Sequence, residues 1–136
     1  EANTTEINPE TPHPVITDLP NQKELQNKGG TMRLGAYPCI LDSQSKTYQY
    51  YKSKTISERH RHRFELNPYY KTQLTQHGLC LSGTSPNKDL VEIIELSKHP
   101  FFIACQFHPE FKSRPYKSHP LFKHFITSSL DKKNKK

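Results

Sequence analysis

The run FFIACQFHPEF, residues 101–111, decides how this chain reads. Phe101 to Phe107 is the most apolar stretch of the sequence and predicts a buried central strand, because a strand covered on both faces needs no polar alternation. Pro109 cannot donate to a ladder and restricts the backbone around it, so the strand must stop or turn there. His108 and Glu110 lie at that end, and period-2 alternation puts them on one side. A carboxylate that bonds one ring nitrogen of a histidine fixes its tautomer and leaves the other nitrogen to take a proton, as a base and its orienter do. Spacing alone equally allows a plain His–Glu contact in a surface loop, and favours it. Cys105 does not complete a triad. Apolar burial raises a thiol's pKa, and three residues of extended chain turn Cys105 away from His108. A nucleophile at a strand-to-helix elbow needs small neighbours, as in G-x-C-x-G, whereas Gln106 and Phe107 are bulky. Cys39 and Cys80 lack that context too. All three cysteines read as packing residues, and no nucleophile is found.

Outward from this run the chain alternates short strands with two helices. Residues 1–14 read as a polar, Pro-rich loop, 14–19 (PVITDL) as a short buried strand, and 20–30 as a loop closed by a Gly pair. TMRLGAYPCIL (31–41) predicts a strand with Gly35 and Pro38 bending it or holding it at an edge. TISERHRHRFELN (55–67) reads as one strand. NPYYKTQLTQHG predicts a helix with Asn67 as N-cap, Pro68 at N1 and Gly78 past its end. LCLSGTS (79–85) and DLVEIIEL (89–96) are further strands. SHPLFKHFITSSL (118–130) is a helix whose Leu121, Phe122, Phe125 and Ile126 form one apolar face. The pattern predicts an α/β or α+β fragment without internal repeats.

Composition limits the function classes. The 136 residues suffice for one domain at most, and 32% apolar content with a mean hydropathy of −0.90 is lean for a self-sufficient core. The formal charge of +7 owes much to Lys132, Lys133, Lys135 and Lys136, in a terminal DKKNKK run that reads as a disordered tail over 131–136. A strong polyanion footprint is therefore not expected. Three widely spaced cysteines fit neither a disulfide framework nor a CxxC zinc pair, and reduced thiols point to the cytoplasm. No stretch is long and apolar enough for a membrane span. The first residues lack an initiator Met and an apolar leader, so the chain reads as part of something longer.

Two polar stretches carry weaker signals. As a single strand, ERHRHRFE (58–65) puts Arg59, Arg61, Arg63 and Glu65 on one face and Glu58, His60, His62 and Phe64 on the other. The arginines suit a carboxylate or phosphate; a charged edge strand that discourages pairing explains them more simply. A metal held by His60 and His62 lacks a third ligand. GGTMRLG (29–35) is neither G-x-G-x-x-G nor a P-loop.

Taken together, NTTE (3–6), GGTMRLG (29–35), ERHRHRFELN (58–67), LVEIIE (90–95), HPFFIACQFHPEFKSRP (99–115) and HPLF (119–122) resemble the C-terminal part of the class I glutamine amidotransferase domain of the CTP synthase family. The resemblance covers residues 1–130. HPE marks class I amidotransferases in general; GGTMRLG with ERHRHR narrows the match. It implies a flavodoxin-like, three-layer α/β domain of which this chain is the C-terminal half, incomplete on its own. It further implies a Cys-His-Glu triad that hydrolyses glutamine through a γ-glutamyl thioester. The ammonia then passes to a separate synthetase domain, where it attacks ATP-activated UTP to give CTP, a step of pyrimidine biosynthesis. On this chain the resemblance assigns His108 as the catalytic histidine and Glu110 as its orienting carboxylate. It assigns Glu6 and Arg63 to glutamine, the carboxylate suiting the α-ammonium and the guanidinium the α-carboxylate. Thr31 and Arg33 fall in a segment linked to GTP activation.

The same resemblance implies ATP, Mg and GTP as ligands of the parent enzyme, a homotetrameric parent, and no metal, cofactor, nucleic-acid or membrane site in this chain. Phe64 stands where many relatives carry Tyr. The nucleophile and the synthetase domain are expected before residue 1, so these residues alone are expected to be inactive. A non-catalytic binding or regulatory module with the same fold is the alternative.

Overall fold

The computed structural model describes residues 1–18 and 32–135. The expected 20–30 loop and Thr31 lie outside them. Among the described residues, two sheets and three helices make up the α/β architecture. The elements in chain order are β1 (Ala2–Thr4), β2 (His13–Thr17), β3 (Arg33–Leu41), α1 (Lys46–Tyr51), β4 (Thr55–His62) and β5 (Glu65–Leu66). They continue with α2 (Lys71–Gln76), β6 (Leu79–Thr84), β7 (Val91–Leu96), β8 (Ile103–Cys105) and α3 (Pro120–Asn134). Short 3₁₀ turns cover Pro68–Tyr70 and Pro109–Lys112. The larger sheet has the order β4-β3-β6-β7-β8 and is antiparallel throughout; the smaller, β1-β2-β5, joins β2 parallel to β1 and antiparallel to β5.

Several sequence expectations change in the structure. Residues 2–4 form a strand rather than loop, because they find a tertiary partner in β2 that no local pattern announces. Residues 55–67 are not one strand. β4 ends at His62, the chain bends through Arg63 and Phe64, and β5 crosses to the smaller sheet against β2. That bend breaks the period-2 alternation, so Glu65 leaves the arginine face and is fully buried. The apolar run 101–107 contributes only three residues to β8, at the edge of the larger sheet instead of its centre.

The helices carry corrections too. Of the helical face expected at 121–126, only Leu121 is buried, while Phe122, Phe125 and Ile126 are exposed. Helix α3 runs through Asn134, so residues 131–134 continue it. Helix α1 has no counterpart in the sequence reading. Ser45 caps it by accepting from Tyr48 N–H at 2.9 Å, and Lys52 closes it with φ 55°. Asn67 does cap the turn before α2, accepting from Tyr69 N–H at 3.1 Å.

The core is small: Cys39, Leu41, Ile56, Ile93, Phe107 and Leu121, with Tyr48, Tyr51, Ile103 and Cys105 packed on it. Gly83 lets β6 pass close by, since a Cβ there would sit 2.8 Å from Cys39 Sγ and 2.8 Å from Ile93 Cγ1. Gly35 holds φ +104° within β3, a conformation that L side chains resist.

Beside this core lies a layer of buried charge. Arg33 donates to both oxygens of Glu92, at 2.8 and 3.1 Å, and to Glu65 at 3.2 Å; His62 Nε2 lies 2.9 Å from Glu65. Ions taken out of water need such close partners to recover their solvation. Burial opposes the Arg33 charge, but the hydrogen bond and charge of Glu92, with Glu65 behind it, more than offset this and raise its pKa. His60 is pushed down to about 3, first by burial and then by the charges of Arg33, His62 and His108. It therefore stays neutral. Glu95 accepts from the Lys46 and Thr47 N–H groups and the Thr47 hydroxyl, at 2.9, 3.0 and 2.7 Å, which puts a carboxylate at the positive end of α1.

Candidate functional site: the His108–Glu110 turn on the free edge of β4

β4 is an edge strand, and its side chains divide cleanly. Ile56, Glu58 and His60 point inward, while Arg59 and Arg61 point out. On its paired side it runs against β3, where Pro38 stands opposite Ser57. In a non-hydrogen-bonded pair the Ser57 carbonyl faces the free edge, and Pro38 fits opposite it because the ladder calls for no N–H there. Carbonyls two residues apart on a strand point the same way, so Arg59 presents its carbonyl beside that of Ser57.

The segment leaving β8 uses this edge. Gln106 N–H donates to Glu92 O of β7 at 3.0 Å, continuing the sheet at its far side. The Gln106 amide then reaches Phe64 O at 3.2 Å, and His108 N–H donates to Arg59 O at 2.9 Å. Residues 106–108 thus bridge the two edges of the sheet and leave His108 at its rim. Pro109 begins a 3₁₀ turn, as its fixed φ and missing donor suit, and the turn carries Glu110 back beside the ring. His108 Nδ1 and Glu110 Oε1 are 2.8 Å apart. Phe111 stacks on the imidazole at 5.2 Å between centroids.

This contact sets the chemistry. The hydrogen bond to His108 holds the Glu110 carboxyl below the ordinary carboxylate pKa. An ionised carboxylate only accepts, so Nδ1 carries the proton and Nε2 presents its lone pair. Both side chains remain partly exposed, at 39% and 54%, so a substrate can reach them. The pair can take a proton at Nε2 and return it.

The other sequence candidates fall into three groups. Glu6 follows β1, with its N–H on Thr4 Oγ1 at 3.2 Å, and Arg63 lies in the bend before β5; both are exposed. The register Thr4↔Ile16 and Thr17↔Glu65 brings the end of β1 and the start of β5 to one end of the smaller sheet. Glu6 and Arg63 therefore share that end, and Arg63 is one residue from Phe64, whose carbonyl holds Gln106. Arg33, expected in a segment linked to GTP activation, is engaged within the fold. Its guanidinium is spent on Glu65 and Glu92, lies 4.6 Å over the Tyr37 ring, and is 11% exposed. Thr31 lies outside the described residues.

The cysteines are placed as packing predicts. Burial, with the nearby charges of Glu92 and Glu58, pushes the Cys39 thiol up to about 12, and burial with Glu58 and Glu110 does the same for Cys105. Burial also raises Cys80. None of the three is a thiolate at neutral pH.

Sequence reasoning missed the support beneath the turn. Glu58 is buried and accepts from Tyr51 OH at 3.0 Å, with His119 Nε2 at 3.1 Å. Leu121 N–H donates to His119 Nδ1 at 3.3 Å, so Nε2 carries the His119 proton and gives it to Glu58. Lys112 Nζ donates to Ser57 O and lies 4.0 Å from Glu58 Oε1. An inward-facing glutamate amid alternating arginines was the available signal, and it read as surface charge.

The chain is similar to known proteins over most of its length. The family described as glutamine amidotransferase class-I matches residues 6–128. A CTP synthase of Moorella thermoacetica is 62% identical over 125 residues, covering 92% of this chain and 23% of its own length. One from Caldanaerobacter subterraneus subsp. tengcongensis is 56% identical over 132 residues, 97% of this chain and 25% of its own length. The glutaminase domain of Trypanosoma brucei CTPS, solved with bound acivicin, superposes with a TM-score of 0.87 at 36% identity, covering 96% of this chain and 51% of that one. The chain thus spans about a quarter of the length of these curated relatives. From the match over residues 6–128, the chain belongs to the class-I glutamine amidotransferase family.

Proposed function

We propose that residues 1–130 are the C-terminal portion of the amidotransferase domain of a CTP synthase, supplying the base and orienter for glutamine hydrolysis. The observation that carries this reading is the 2.8 Å contact between His108 Nδ1 and Glu110 on the rim of β4. The similarity to CTP synthases over nearly the whole chain supports it.

In this mechanism His108 Nε2 takes the proton of a cysteine thiol supplied by the preceding part of the enzyme. The thiolate attacks the side-chain carbonyl carbon of glutamine. His108 gives its proton to the departing nitrogen, so ammonia leaves and a γ-glutamyl thioester remains. Water then loses a proton to Nε2 and attacks the thioester, releasing glutamate and restoring the thiol. Glu110 keeps Nδ1 protonated and stabilises the imidazolium in both half-reactions. Arg63 grips the α-carboxylate of glutamine and Glu6 its α-ammonium, from their shared end of the smaller sheet. The ammonia aminates UTP in an ATP- and Mg-dependent synthetase domain, with GTP as activator.

Location of the nucleophile tests this reading. In the complete enzyme, acivicin should label a cysteine outside these residues, and peptide mapping should find Cys39, Cys80 and Cys105 unmodified. Stoichiometric label on Cys105 would overturn the assignment.

A further inference from the structure

The turn that carries His108 and Glu110 is short and partly exposed, and its own hydrogen bonds are modest. Phe111 N–H reaches His108 O at 3.2 Å and Ser113 N–H reaches Glu110 O at 3.3 Å. Such a turn does not by itself hold a carboxylate oxygen at 2.8 Å from a ring nitrogen. Its ends, however, are fastened to the same free edge. At one end His108 N–H bonds the Arg59 carbonyl. At the other, Lys112 Nζ bonds the Ser57 carbonyl, which faces the same free edge.

Below that carbonyl the ammonium faces Glu58 at 4.0 Å. Glu58 is 1% exposed and held by Tyr51 and His119. Its other oxygen, Oε2, has no hydrogen-bond partner among the described residues, and Lys112 brings an ammonium to within 4.0 Å of Oε1. His119 also bonds past the turn, donating its N–H to Ser113 Oγ at 3.1 Å. A charge-assisted hydrogen bond is stronger than a neutral one, and this one ends on the backbone of a paired strand.

We propose that Lys112 is a positioning residue: a strut that ties the far end of the His108–Glu110 turn to Ser57 and Glu58, keeping the carboxylate on Nδ1. The inference rests on reading His108 and Glu110 as base and orienter. With the ammonium gone, the turn keeps its own hydrogen bonds and the His119–Ser113 bond past its end, but its remaining hydrogen bond to the β4 edge is at His108, and Glu110 drifts from the ring. The ring then loses the partner that fixes its tautomer. Substrate contacts made by other residues are untouched, so the rate falls while binding holds.

The test uses the complete enzyme with Lys112→Met, which keeps the aliphatic stem of a side chain that is 44% exposed. Glutamine-dependent kcat should fall on the order of 10–10²-fold, the scale of a misplacement of about 1 Å. The KM for glutamine should hold, as should CTP synthesis from added ammonia on the same sample. Lys112→Arg, which can still reach Ser57 and Glu58, should restore most of the rate. An unchanged kcat in Lys112→Met, a matching rise in KM, or failure of Lys112→Arg to rescue would overturn the strut. His108→Ala measured alongside separates the two claims. If it keeps full glutaminase activity, the base assignment fails and the strut with it. If it loses activity while Lys112→Met does not, the strut alone fails.

Discussion

At the residue scale the chemistry rests on one hydrogen bond. Glu110 is held below its ordinary pKa chiefly by donation from His108. A carboxylate whose folded pKa is depressed keeps its contribution above the ordinary value and loses it only as pH falls through the folded one. In a carboxyl-¹³C NMR titration of the complete domain, Glu110 should therefore titrate below 4.5, its unperturbed value. The midpoint should return toward 4.5 in His108→Ala. A midpoint at or above 4.5 in the intact protein would contradict the assigned tautomer. That His108 and Glu110 stand close was legible in the sequence from their spacing around Pro109, although a 3₁₀ turn rather than extended chain brings them together. Glu65 was not legible. Its face depends on the bend at Arg63 and Phe64, and nothing in ERHRHRFE marks where alternation lapses.

At the element scale, β6 and β7 were read correctly as strands, and β1, made by pairing alone, was not. β6 and β7 follow their local patterns, whereas β1 exists because β2 is there to receive it. The apolar run at 101–107 misled on position because its residues divide their tasks. Phe107 enters the core, Ile103 to Cys105 pair with β7, and Phe101 stacks on Tyr50 at 5.9 Å. Packing between elements also sets the tolerance of the larger sheet. At Gly83 a methyl would meet Cys39, which is fully buried, and Ile93, which is nearly so. Neither can retreat, so Gly83→Ala should cost about 1–3 kcal/mol, as overpacking does. Urea unfolding of the complete domain should show a lower midpoint with an unchanged slope. An unchanged midpoint would mean that β6 can shift away from β3 and β7.

At the scale of the whole molecule, the chain presents the His108–Glu110 pair but only protonated thiols, one buried and two half-buried. The lean composition is explained by an interior that is substantially charged, with Glu58, His60, Glu65, Glu92 and Glu95 each at most 2% exposed. Those residues looked like surface charge because composition does not reveal pairing. The class of the domain was legible nonetheless, since HPE, GGTMRLG and ERHRHR stand in one order along the chain.

As the general base proposed above, His108 serves the glutamine half of the reaction alone. The most direct test of this claim is His108→Ala in the complete enzyme, assayed for CTP formation from glutamine and from added ammonia. Loss of a general base should lower the glutamine-dependent rate by about 10²–10⁴-fold and leave the ammonia-dependent rate unchanged. Equal loss of both would contradict the claim and make His108 a support of the fold.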